Sequence, residues 1–399
     1  MPANTAPKQP TPRRPLPARL RTTIAVAAAF PMLIGLAACA PAAEAEDTVD
    51  YSALSHEELV ELVTEEGEVS VYAFTSRIAT VEETFEAEYP DIDVTATDVS
   101  STELITRLAS EHAAGSATAD VAYVSDAPVV VTELLAEGVL EQYLPPRMAD
   151  LLPAEYQEPL VANRLSTKVL MYNEEAYPDG SPVANLWELT EAEWAGKVVL
   201  VDPNVRGDYL DLVTEMSLRA DEMAAAYEEH FGSEIELEDG VEDAGLQFIS
   251  DLYNNDAVLV DDTDTVNAAI GALGQEDPPV GFTSYSDRRD NEDEGWALQV
   301  ASGVAPSPGI VFPAMLGLTA NAKNPAAARL LIDFMMGDDS EIGGPGFEPF
   351  YVAGDYPTRT DVVAPEDALA LEELDGWIID AEASAERRDA VADFLLTIQ

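Results

Sequence analysis

Short strand-like runs alternate with helix-like runs from residue 69 to residue 140, and this order narrows the fold more than any other feature of the chain. A helix with Leu59, Leu62 and Val63 on one face precedes them, opened by Ser55-His56-Glu57-Glu58. Residues 69–74 read as a strand, Thr75-Ser76-Arg77 as a turn, and a helix then runs towards Tyr89, where Pro90 ends it. Residues 92–99 alternate as a second strand, and Ser100 or Ser101 caps a helix carrying Leu104, Ile105 and Leu108. Residues 119–124 form a third strand ending at Ser125-Asp126, followed by a helix over 129–140 with Gly138 near its end. Strands separated by helices predict an α/β fold with a parallel sheet covered on both faces. Ligands of such sheets sit beyond the carboxyl ends of the strands, so the loops Thr75-Ser76-Arg77 and Ser125-Asp126 are candidate contacts.

The pattern changes near residues 163–173, where 168–173 read as a strand leaving a first lobe. Residues 186–196, with Trp187 and Trp194, read as helical, and 197–201 as a strand closed by Asp202-Pro203. Helical segments follow over 210–230 and 241–254, and a strand over 279–282 leads to Thr283-Ser284-Tyr285. Residues 309–318 are apolar and extended, 325–336 form a helix, and the chain closes in helices rich in Glu and Ala.

The amino-terminal segment has a different character. Residues 1–38 hold Lys8, Arg13, Arg14, Arg19 and Arg21 and no acidic residue, with an apolar run over 24–38 broken by Pro31. A basic head, a short apolar middle and small residues before a cut make a secretory signal, too short for a membrane span of ~20 residues. Pro15 directly after Arg13-Arg14 favours the general secretory route over twin-arginine export. The run Leu36-Ala37-Ala38-Cys39 resembles a bacterial lipobox, and Cys39 is the only cysteine. That resemblance implies a diacylglyceryl anchor on Cys39, stable because it carries more than one acyl chain; the alternative is a cleaved signal with an incidental Cys. Residues 39–54 read as a flexible acidic tether.

The chain has 76 acidic and 20 basic residues and a formal net charge of −56. Such a charge repels nucleic acid and anionic lipid, and it suits a high-salt medium in which counterions screen self-repulsion. Its apolar content of 47% still allows a full core.

Several segments in order resemble the solute-binding proteins of ABC importers, in the branch that holds the ferric-iron binders. They are Val71-Tyr72-Ala73-Phe74-Thr75-Ser76-Arg77, Ala119-Asp120-Val121-Ala122-Tyr123-Val124-Ser125-Asp126 and Met171-Tyr172-Asn173. Leu186-Trp187-Glu188-Leu189 through Asp202-Pro203, Pro308-Gly309-Ile310-Val311-Phe312-Pro313 and Tyr356-Pro357-Thr358-Arg359 continue the series. The resemblance implies a type II periplasmic-binding-protein-like fold: two α/β lobes joined by crossover strands, with a ligand cleft between them. Residues 55–165 with 305–345 are then expected in lobe 1, and 166–304 with 346–399 in lobe 2. It also implies hinge closure around a ligand and a membrane ABC permease as partner.

Thr75, Ser76 and Arg77 lie where a strand meets a helix, so they either bind an anion or merely cap the helix. Ser125 and Asp126 carry the same two readings. Arg206, Asp208 and Tyr209 fall in a loop where relatives contact ligand; Arg206 clamps a carboxylate or phosphate, or else makes an ordinary ion pair. Ser284 and Tyr285 fall where ferric binders carry paired tyrosines. Here Ser284 replaces one of them, which weakens a ferric site and leaves Tyr285 as the sole tyrosine ligand if iron is bound. Arg288 and Arg289 after them either face the cleft or pair with Asp287, Asp290 and Glu292.

His56, His112 and His230 lack metal-ligand spacing, and no Gly-x-Ser-x-Gly or Gly-x-x-x-x-Gly-Lys motif is present. The acidic runs at 202–213 and 290–301 end in Val213 and Ala301 where a calcium loop needs an acid. The expectation is a non-enzymatic, monomeric, lipid-anchored protein on the outer face of the membrane, with no cofactor and no nucleic-acid partner. It captures a small anionic or polar organic solute; the alternatives are a ferric-iron binder and a ligand-sensing lipoprotein outside transport.

Overall fold

The computed structural model describes residues 49–51 and 54–398. The signal segment, Cys39 and most of the expected tether lie outside the described residues. The fold below is that of the unit from Asp50 onward.

Its strands are β1 (Glu68–Ala73), β2 (Asp93–Asp98), β3 (Val121–Val124), β4 (Leu140–Glu141), β5 (Val161–Asn173) and β6 (Val198–Val201). They continue with β7 (Val258–Val260), β8 (Val280–Thr283), β9 (Leu298–Val300), β10 (Gly309–Thr319), β11 (Tyr356–Pro357) and β12 (Trp377–Ile378). The main order is β2-β1-β3-β10-β5-β8-β6-β7. β1 runs parallel to β2 and β3, and β6 runs parallel to β7 and β8. Between these two wings β10 and β5 pair antiparallel with each other and with their neighbours. The molecule is thus two α/β lobes joined by long crossing strands, the type II periplasmic-binding-protein-like architecture. The all-parallel sheet expected from strand–helix alternation holds within each wing and fails at the centre, where two long strands pass between the lobes.

Side-chain alternation shows how both faces of the first wing are covered. Val69, Val71 and Ala73 of β1 pack in one core with Phe85, Leu330 and Leu331, while Tyr72 enters the other with Leu104 and Leu108. Val121 and Tyr123 of β3 likewise face the first core, and Ala122 and Val124 the second. Each fully buried Leu or Phe is worth about 1.5–3 kcal/mol. The second core runs on into the other wing around Trp187, whose indole donates to Met223 O at 2.9 Å.

Ser55 opens the helix His56–Glu66 with a reciprocal box to Glu58, and Ser100 caps Ser101–Ala113. The helix expected over 129–140 is shorter: Ala127–Val129 passes into a wide turn at Val130–Leu135, and Gly138 at φ 69° swings the chain into β4. Residues 186–196 form two tight 3-10 turns, and residues 210–230 fall in two helices, Gly207–Leu218 and Ala220–Phe231. Among the described residues no helix is long and apolar enough to cross a membrane.

Candidate functional site

The parallel strands of both wings point their carboxyl ends at one cavity of about 620 Å³. β1 delivers Phe74, Thr75, Ser76 and Arg77, and β2 delivers Val99 and Ser100. Opposite them, the segments after β6, β7 and β8 deliver Arg206 and Asp208, Thr263, and Ser284, Ser286, Asp287 and Arg289. The crossing strands supply the floor, with Arg164 and Ser166 from β5 and Phe312 from β10.

The floor carries buried charge on both sides. Arg77 and Arg164 share one carboxylate: each donates through Nη1 to Asp355, at 2.5 Å, and the Asp355 side chain is fully buried. Both guanidiniums lie 5.1 Å from the centre of the Phe350 ring, a spacing at which a cation meets the negative π face. Arg164 also donates from Nε to the Tyr123 hydroxyl at 2.9 Å, which in turn donates to Asn163 Oδ1 at 2.8 Å. Its Nη2 has no partner, although the side chain is wholly buried. Burial opposes charge on both arginines. On Arg164 the neighbouring Asp355 and Tyr123 outweigh it and hold the pKa above its ordinary value, whereas Arg77 is pulled down.

Across the cavity Asp208 is gripped from two directions. Arg206 forks onto it with Nε at 3.1 Å and Nη2 at 3.0 Å, and Lys168 Nζ lies 3.0 Å from Oδ2. Burial alone would raise the Asp208 pKa, but Lys168 and Arg206 bring it down to about 2. Burial pulls Lys168 below its ordinary value despite Asp208. Arg206 Nη1 donates to Thr263 Oγ1 at 2.8 Å, and Lys168 Nζ to Ser284 Oγ at 3.2 Å. Arg289 is matched by Asp287 at 2.9 Å and Asp290 at 3.0 Å. Asp98, Glu103, Asp261, Asp262 and Asp264 stand at the exposed rim.

Of the sequence-predicted residues, Thr75, Ser76, Arg77, Arg206, Asp208 and Ser284 share this cavity, and five others do not line it. Asp126 is spent on an ion pair with Arg388 from the last helix, Nη2 to Oδ2 at 3.0 Å, and with Ser125 it is buried. Tyr209 is buried beneath Arg206, its hydroxyl donating to Phe282 O at 2.8 Å. Tyr285 is turned away; its hydroxyl accepts from Leu369 N at 3.2 Å, and its own backbone N–H donates to Thr167 Oγ1 at 3.0 Å. Arg288 lies 3.5 Å from Asp367, outside the cavity. Arg206 is neither a free clamp nor a plain surface pair, because Asp208 already fills its fork.

Arg164, Ser166 and Asp287 join the site from outside the sequence reading, and Arg289 both lines the cavity and pairs with Asp287 and Asp290. The first two had a signal: Arg164-Leu165-Ser166-Thr167-Lys168 places Arg, Ser and Lys at alternate positions, hence on one face of a strand. Polar residues on one face of a buried central strand point to a cleft rather than a core.

A type II fold with strand ends gathered around a polar, arginine-lined cavity defines a ligand-binding protein of the extracellular solute-binding class. The family model for bacterial extracellular solute-binding proteins matches residues 67–342, and the chain belongs to that family, whose members bind small solutes and deliver them to ABC permeases. No curated protein sequence matches it. Among solved structures it is similar to iron-bound HitA from Pseudomonas aeruginosa, at 17% identity and TM-score 0.64, over 83% of this chain and 99% of that one. AfuA from Actinobacillus pleuropneumoniae with bound fructose-6-phosphate matches at 17% identity and TM-score 0.61, over 82% and 97%. AgtB from Agrobacterium tumefaciens R10 with agropinic acid matches at 14% identity and TM-score 0.59, over 83% and 98%.

Proposed function

We propose that the chain captures a small anionic or polar organic solute outside the cell and hands it unchanged to a membrane ABC permease. The observation that carries this reading is the single cavity at which the strand ends of both wings meet, with buried arginines on its floor. The basic head, apolar run and Leu36-Ala37-Ala38-Cys39 support residues 1–38 as a lipoprotein signal, Cys39 as the lipidated amino terminus at the extracellular face of the cell membrane and residues 39–54 as the tether, and the protein is taken as a monomer. Residues 55–165 with 305–345 and residues 166–304 with 346–399 are taken as the two closing lobes. The structural neighbours' ligands span iron, a sugar phosphate and agropinic acid. The lining here holds four arginines and no tyrosine or histidine, so the tyrosinate ligands of a ferric site are missing, and its carboxylates either pair with Lys168, Arg206 or Arg289 or stand at the exposed rim.

Native mass spectrometry of the protein purified from its membrane is expected to show a retained small organic solute, released on denaturation without chemical change. After ferric loading no visible tyrosinate-to-iron band should develop. A strong band lost on Tyr285→Phe would restore iron, and recovery of a chemically altered solute would mark an enzyme. The net charge of −56 further supports salt adaptation. Its thermal midpoint should therefore climb as NaCl rises from about 0.1 to 1 M and the Debye length shrinks from ~10 to ~3 Å; a flat or falling midpoint would remove that assignment.

A further inference from the structure

One carboxylate crosses from the first wing to touch the second. Asp126 follows β3, and Gly207 opens the helix Gly207–Leu218 that follows β6, far along the chain. The two residues pack so closely that a Cβ built on Gly207 would overlap Asp126 Oδ2 and come within 2.8 Å of Arg388 Nη2. Gly207 lies in the first turn of a helix and outside the left-handed region, so its own conformation does not call for glycine. Glycine is a poor helix former, and here it is the approach of the other wing that leaves no room for a side chain.

Arg388 closes this contact from the last helix, Ala381–Ile398. That helix is tied to the second wing: Ser384 Oγ donates to Glu215 Oε1 at 2.7 Å, and Arg387 donates from Nε to Ser217 Oγ at 2.9 Å and from Nη2 to Asp243 Oδ2 at 2.8 Å. Arg388 holds Asp211 of the same wing, Nη1 to Oδ1 at 3.0 Å, and reaches across to fork onto Asp126 through Nη1 and Nη2. Among the described residues this fork is the one ion pair from the last helix to the first wing. Apolar packing against residues 127–135 accompanies it. Arg206 and Asp208, on either side of Gly207, line the cavity, so bringing the wings together here and completing that wall are one event.

Resting on the solute-binding reading above, we propose that the Asp126–Arg388 fork over Gly207 is a latch between the wings, made when the clamshell closes and parted when it opens, with the last helix as its strap. Apolar packing is non-directional and survives a small sliding of one surface over another. A forked ion pair is directional, and parting it strands a carboxylate that has been taken out of water. The fork therefore separates the closed arrangement from the open one where the apolar contact does not. Asp126, Gly207 and Arg388 touch no solute; they position the wall that does.

Double electron–electron resonance on the full-length protein tests this, with spin labels on Thr102→Cys in the first wing and Ala268→Cys in the second, both exposed and outside the cavity wall. Single-cysteine samples account for any label on Cys39. The doubly labelled parent is expected to show a short-distance population. Gly207→Ala is a wedge that leaves every charge in place, and it should deplete that population roughly 10-fold in favour of a longer distance, about the weight of one charge-assisted hydrogen bond. Asp126→Asn should act in the same direction by loosening the fork. Asp211→Asn removes an equal charge from the same cluster but keeps the cross-wing fork, so the short distance should persist. A purely structural cluster would change the melting temperatures and leave the distances alone. Identical distances in the parent, Gly207→Ala and Asp126→Asn, or equal shifts in Asp126→Asn and Asp211→Asn, overturn the latch and leave solute capture intact. A protein that retains no solute from its membrane overturns the broader reading instead.

Discussion

Arg388→Met is expected to destabilise the protein by about 3–5 kcal/mol, the range for a buried ion pair that loses one partner. Arg388 holds two carboxylates at once: Asp126, just after β3, and Asp211, in the helix Gly207–Leu218, where Nη1 lies 3.0 Å from Oδ1. The two aspartates are 2% and 3% exposed, and Arg388 is 12% exposed. Burial opposes charge on Arg388, but Asp211 and Asp126 hold its pKa above the ordinary value. Take the cation away and two desolvated carboxylates face each other. The cluster also sits against the first turn of the helix that carries Asp208. A Cβ on Gly207 would lie 2.2 Å from Asp126 Oδ2 and 2.8 Å from Arg388 Nη2. The loss should therefore reach the cavity wall and show as weaker solute binding too. Urea denaturation measures the first effect, and a loss below about 1 kcal/mol would mean the cluster is idle.

The same cluster makes a prediction of opposite sign. Burial first, and then the Asp126 charge, push Asp211 well above its ordinary value of 3.8. Burial and Asp126 make the Asp211 charge costly, so Asp211→Asn, which removes that charge while Asp126 keeps Arg388, is expected to stabilise by about 1–2 kcal/mol. A carboxyl with a raised folded pKa binds its proton more tightly in the native state. Wild-type stability therefore gains as pH falls from the folded pKa towards 3.8, and the advantage of the variant shrinks across that window. A variant less stable than wild type at pH 7 would show that Asp211 and Arg388 form a net favourable pair.

These long-range charge pairs mark the limit of what could be read from the sequence. β1, β2 and β3 with their intervening helices were legible because apolar alternation and capping residues are local signals, as with Ser55 and Glu58. The turn Thr75-Ser76-Arg77 was placed in a site because strand ends of α/β sheets gather ligands. Arg77 was legible as a position, but its partner was not, since Asp355 lies 278 residues away. Asp126 looked equivalent to Arg77, both following a strand of the same wing. What separates them is Arg388, 262 residues further on, whose arrival on Asp126 turns a loop carboxylate into a clasp. Tyr285 misled for a related reason: the strand before it was read correctly, but the 3-10 turn Tyr285–Asp290 points Ser286 and Asp287 inward and sends the tyrosine ring behind. The crossing strand β5 begins well before Lys168, hidden because one of its buried faces carries Arg164, Ser166 and Lys168 rather than apolar residues.

Asp355→Ala is expected to be as damaging as the loss of Arg388, about 3–5 kcal/mol, and its signature distinguishes a ligand floor from a structural salt bridge. With Asp355 gone, Arg77 and Arg164 keep their positions around Phe350 but lose the carboxylate that both share. Arg77 is already drawn below its ordinary value by burial, with Arg164 among the opposing charges, so the pair has little tolerance for a missing anion. If the floor is built to receive an oxyanion, an external one can take the vacated place. Inorganic phosphate should then raise the melting temperature of Asp355→Ala far more than that of the wild type, with the stabilisation growing as RT ln(1 + [L]/Kd). The gain should be absent in the double variant Asp355→Ala/Arg164→Met, in which no unsatisfied guanidinium pair remains. Equal phosphate effects on wild type and Asp355→Ala would reduce the Arg77–Asp355–Arg164 cluster to a girder of the fold and take Arg164 out of the binding site.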